Sequence, residues 1–107
     1  MDARQLPKRA RIIVAEHLAR CGLRWHCTRI FVRHDLRTER GPAWATMHTT
    51  SGSTFVLCLD ADLEDGRGPS LESLIGHEIG HLVLNRCSLD HDTEELICDL
   101  VGRILAS

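Results

Sequence analysis

The spacing of apolar positions changes several times along the chain, and each change marks an element. Leu6, Ala10, Ile13, His17 and Cys21 recur at helical spacing. Pro7 suits the first helical residue and Gly22 the position just past a helix end, so residues 7–21 read as an amphipathic helix. Residues 25–33 concentrate Ile, Val, Phe, Trp and Thr and read as a strand. Glu39-Arg40-Gly41-Pro42 is a turn or loop. Residues 43–50 and 54–60 read as two strands joined at Ser51-Gly52-Ser53, a hairpin. Residues 60–68 form an acidic, glycine-containing loop. Ser70 is placed to cap a second long helix running to about Asn85, and Asp92 to cap a last one reaching the C-terminus. The order helix, three strands, helix, helix predicts an α+β domain with its helices on one face of a small sheet.

A length of 107 residues implies a single domain, residues 1–107, with a small core. The longest apolar runs, 12–15 and 55–59, fall far short of the about 20 residues of a membrane span. The first 20 residues are basic and lack a long apolar stretch, so no secretory signal is expected and the cytoplasm is the expected setting. Five cysteines, an odd number without a C-x-x-C pair, agree with reduced thiols; each reads first as a small buried hydrophobe. The net charge of −2 hides an asymmetry: residues 1–40 hold ten Lys/Arg against four Asp/Glu, and residues 60–107 hold three against eleven. With no nucleic-acid motif beside it, this asymmetry reads as a basic layer packed near an acidic one, and no nucleic-acid partner is expected.

The chemistry concentrates in His77-Glu78-Ile79-Gly80-His81, an H-E-x-x-H motif. Residues four apart share a helix face, so both imidazoles can reach one ion. Zinc accepts imidazole nitrogen, and three protein ligands leave a fourth position open. Glu78 sits beside His77 as the candidate general base for a zinc-activated water. Leu71, Leu74, Ile75 and Leu82 around the motif place it inside a predicted helix, a context that lowers the chance of an accidental match.

The third ligand must come from elsewhere. A metzincin would place Gly at 84 and His at 87, where this chain has Leu84 and Cys87. Cys87 could ligate as a thiolate, but a helix continuing through Leu84 carries it away. Glu95 is the stronger candidate. The chain turns within residues 86–91 and returns in a helix from about Thr93, which brings Glu95 near the level of His81 and Asp99 near that of His77. Asp99 then reads as a supporting acid for a ligand histidine. Glu94 is the neighbouring alternative ligand, and Asp92 with Glu95 also resembles a capping box.

His77-Glu78-Ile79-Gly80-His81-Leu82-Val83-Leu84, followed by Glu95-Leu96-Ile97-Cys98-Asp99, resembles the ImmA/IrrE-type zinc metallopeptidases, which share the Glu-zincin layout. The resemblance covers residues 70–105; upstream it rests on element order alone. It implies His77, His81 and Glu95 as ligands of Zn2+, Glu78 as base and Asp99 as support. It further implies a peptidase acting on a protein or peptide substrate, such as a transcriptional repressor. The size is similar to that of minimal "minigluzincins", some of which are latent.

The chain departs from the family in places. Asn85 stands where relatives often have His, and Val101-Gly102 replaces a common Phe-Ala. There is no Tyr to act as a phenolic oxyanion donor. His48, His91 and Arg40 are the polar groups that could stand in, each with an ordinary surface residue as its plainer reading. His17, His26 and His34 lack metal-ligand spacing, and Trp25 and Trp44 read as core. The expected function is zinc-dependent peptide hydrolysis. The alternative is a non-catalytic or latent zinc-stabilised binding module, with the N-terminal segment as the candidate blocking element.

Overall fold

The computed structural model describes residues 5–85 and 87–107. Helix α1 spans Gln5–Arg20 and turns Leu6, Ala10, Ile13, Val14 and Leu18 inward. It starts two residues earlier than Pro7 predicts. Pro7 is its third residue, still within the first turn, where a helix needs no backbone N–H from it. Gly22 takes φ +65°, and the N–H groups of Gly22 and Leu23 close the helix on the carbonyls of Ala19 and Leu18.

The main sheet has three strands in the order β1 (His26–Arg33), β5 (Thr54–Asp60), β4 (Ala45–Thr49). β4 and β5 form the expected antiparallel hairpin, while β1 pairs with β5 in parallel. β5 is therefore central, and β4 is an edge with one side open. Between β1 and β4 in the chain, β2 (Arg37–Thr38) and β3 (Gly41–Pro42) make a two-residue ribbon around the turn expected at 39–42. The segment after β5 is a 3-10 helix, Ala61–Asp65, where a loop was expected. Its cap is the buried Asp60, whose carboxylate accepts from the N–H groups of Asp62 at 2.8 Å and Leu36 at 2.9 Å.

Two helices complete the fold: α2 (Leu71–Val83), capped by Ser70 as predicted, and α3 (His91–Ala106). α3 is capped by Asp90 and not by Asp92. Asp90 accepts from the Thr93 N–H at 3.1 Å and its hydroxyl at 2.6 Å. The capping-box reading of Asp92 with Glu95 is thereby corrected: Glu95 lies a turn beyond the cap and is free for other work. Among the described residues, the fold is an α+β domain of three α-helices and a small mixed sheet plus the ribbon.

One core joins the inner face of the sheet (Cys27, Ala45, Phe55, Leu57, Leu59) to α1 and to Leu71, Ile75, Ile79 and Leu82 of α2. His17 is buried there and donates from Nε2 to the Glu72 carbonyl at 2.9 Å, tying α1 to the first turn of α2. Trp25 meets Phe55 edge-on at 6.5 Å, and both tryptophans lie against the core. Cys27, Cys58 and Cys98 are buried, Cys21 is half-buried, Cys87 is exposed, and all are free thiols. No described helix is long and apolar enough to cross a membrane.

α2 and α3 approach unusually closely because glycines face the contact. A Cβ on Gly76 would stand 2.8 Å from the Gly102 Cα, and one on Gly102 only 2.5 Å from the Ser73 carbonyl oxygen. A Cβ on Gly80 would meet Cys98 at 3.0 Å. This approach lets short acidic side chains on α3 reach imidazoles on α2.

Candidate metal centre

His77 and His81 are one helical turn apart on α2, and Glu95 faces both from α3. The His77 Nε2 is 2.8 Å from one Glu95 oxygen and the His81 Nε2 is 3.5 Å from the other. One ligand atom from each of the three residues lies within 4.8 Å of the other two, close enough to hold a metal ion. Glu95 sits between the levels of the two histidines, where spacing alone put it at His81.

The far side of each ring is also held. The His77 Nδ1 is 2.6 Å from Asp99, as the helical spacing predicts, and the His81 Nδ1 is 2.7 Å from Glu94. A carboxylate only accepts, so each Nδ1 carries a proton and donates it. A neutral imidazole then has no second proton for the carboxylate facing its Nε2. Either a second proton or a cation must stand between those lone pairs and Glu95. Two Nε2 lone pairs and a carboxylate oxygen are the donor set of a zinc-type site, so the residues present fit such an ion.

Glu94 enters here as the partner of His81 and not as a ligand, a role that sequence reasoning missed. The signal was available: the step of four from His77 to His81 brings the antiparallel helix back from Asp99 to positions 94 and 95. Cys87 is not part of the ligand group.

Glu78 lines the same cleft as His77, His81 and Glu95 without joining the ligand group. Its direction on α2 differs by about 100° from that of His77. Burial pushes its carboxyl up to about 7; the two imidazoles pull it down and Glu95 pushes it up further. The cleft has a volume of about 1190 Å³. The edge strand β4, through Thr46, His48 and its neighbours, forms one wall; Arg40 and the β2–β3 ribbon border it. His48 and Arg40 thus reach the cleft, and His91 is not among its lining residues. A smaller cavity of about 220 Å³, lined by Trp44, Pro69 and Leu74, also touches His77 and Glu78.

Fold and site together define an α+β domain with a candidate metal centre across two antiparallel helices. Compared with protein-family models, curated proteins and solved structures, the chain matches none.

Proposed function

We propose that the chain is a zinc-dependent peptidase of the Glu-zincin kind, resembling the ImmA/IrrE-type enzymes. The observation that carries this reading is the convergence of two Nδ1-anchored imidazoles on Glu95, with a separate carboxyl, Glu78, in the same cleft. His77, His81 and Glu95 would hold the ion. When bound, zinc supplies Lewis acidity toward a carbonyl oxygen and toward water. Glu78 would take a proton from the attacking water and return it to the leaving amine, the task of a general base that lines the cleft beside the ligands without joining them. A substrate segment lies extended along the open side of β4 and pairs with it through main-chain hydrogen bonds. By resemblance, that segment belongs to a regulatory protein such as a transcriptional repressor, in the cytoplasm.

A second reading is a non-catalytic or latent module of the same fold. It is favoured by the position of the three ligands, since an ion there cross-links α2 to α3 in a domain with a small core. Metal analysis and a peptide-library assay, run on wild type and Glu78→Gln, separate the two. A zinc peptidase binds one zinc in both forms and cleaves only as wild type. Zinc binding without cleavage, also after removal of residues 1–4, the part of the candidate blocking segment that lies outside the described residues, selects the module. No zinc in either form rejects both.

A further inference from the structure

Seven large hydrophobic residues are exposed among the described residues, and three of them, Leu96, Leu100 and Ile104, follow one another at four-residue steps on α3. They are 63%, 48% and 63% accessible. The arc they cover is only about 80° wide, and it points away from the face that carries Glu94, Glu95, Cys98 and Gly102 toward α2. Scattered exposed leucines are ordinary, but a continuous stripe on one helix marks an interface.

The residues beside the stripe indicate what covers it. At 100° per residue, Asp92, Asp99 and Arg103 fall on one flank, and Ile97 and Val101 on the other. Two parallel copies of such a helix would bring the charged flank of one against the apolar flank of the other. Two antiparallel copies bring like flanks together, charge beside charge and apolar beside apolar. In that arrangement, a two-fold axis at the level of residues 97–98 sets Leu96 beside Leu100 of the second copy. It also sets Arg103 level with Asp92 of the second copy, and symmetry repeats both contacts. The Leu96–Leu100 contacts and the Arg103–Asp92 pairs arise in one register, with Ile104 level with residues 91–92 of the second copy at the edge of the contact.

We propose that α3 is a homodimer interface. Its outer stripe packs antiparallel against the same stripe of a second copy, with Arg103–Asp92 pairs at the rim. The pairing leaves the cleft open, because the ligand-bearing face of α3 is the opposite one.

Sedimentation equilibrium of the full chain from micromolar to near-millimolar concentration tests this. Wild type should pass from the 12.0 kDa monomer to a species of twice that mass. Leu100→Asp should raise the dissociation constant by at least about tenfold, since the residue is central and counts twice. Its circular dichroism should match wild type, because the side chain is exposed; Leu96→Lys with Ile104→Lys serves if it does not. Asp92→Arg and Arg103→Asp should each weaken the dimer severalfold, and the double exchange should restore it. A chain monomeric throughout, or a dimer indifferent to the stripe substitutions, overturns the proposal. Failure of the double exchange to restore association overturns the antiparallel register. A monomeric chain that instead captures a different protein on this stripe also counts against it.

Discussion

At the residue scale, the centre is a set of hydrogen-bonded acids assigned different tasks by direction. Glu95 faces both Nε2 atoms, Asp99 and Glu94 hold the two Nδ1 atoms, and Glu78 joins none of these pairs. This division predicts separable phenotypes. Asp99→Ala and Glu94→Ala should each lower zinc affinity by about 10–100-fold while leaving a site, because the ligands remain but their rings lose orientation. Competition with a chelating dye measures this, and an unchanged affinity in either variant would remove that residue from the site. Glu78→Gln should keep one zinc per chain and the wild-type fold, yet lose about 10²–10⁴ in peptidase turnover. Equal cleavage by variant and wild type would exclude Glu78 as the base. The H-E-x-x-H residues, Glu95 and Asp99 were legible from spacing, because helical periodicity dictates which residues share a face. Glu94 was read only as an alternative ligand, because it competed with Glu95 for one role, although the same spacing that pairs Asp99 with His77 brings Glu94 to His81.

At the element scale, local signals were legible and long-range pairings were not. Ser51-Gly52-Ser53 between two alternating runs announced the β4–β5 hairpin. Nothing local in residues 26–33 announces parallel pairing with β5, since its partner lies more than 20 residues away. Asp90 and Asp92 are equally good caps by residue type; the Thr93 hydroxyl, bonded to Asp90, decides between them. The 3-10 helix was hidden because its cap, Asp60, draws a second hydrogen bond from Leu36 in a distant segment. Gly76 and Gly80 are understood only against their partners on α3, and Gly102 packs directly on the backbone of Ser73 and His77. Gly102→Ala should therefore destabilise the chain by about 1–3 kcal/mol, because the new methyl meets backbone at Ser73 that cannot swing aside. It should also lower zinc affinity by pushing Glu95 away from the imidazoles. Denaturant titration with and without zinc measures both effects. Wild-type stability in this variant would mean that the two helices are not held this close.

At the scale of the whole molecule, metal, protons and stability are linked through the same few groups. An ion that binds only the folded chain adds about 4 kcal/mol when free zinc exceeds the dissociation constant a thousandfold. Chelation should then lower the melting temperature on the order of 15–30 °C, and His81→Ala should melt at the chelated value whether or not zinc is present. In the metal-free protein, Glu78 adds a pH dependence of unusual sign. Its carboxyl titrates at about 7 in the fold against 4.5 ordinarily, chiefly because it is buried. Between those two values the folded chain keeps the proton and the unfolded chain has released it. Stability is therefore greatest below about 4.5 as far as this group is concerned, and falls as pH rises toward 7. The shift corresponds to about 3 kcal/mol at 1.36 kcal/mol per unit. Glu78→Gln cannot ionise, so the difference in unfolding free energy between variant and wild type, followed in chelator from pH 4.5 to 7.5, isolates this contribution from the histidines. The variant should gain on wild type steadily across the window and level off above it. A difference independent of pH would mean that Glu78 is as well solvated in the fold as in the unfolded chain, and would remove the basis for its neutral-range titration.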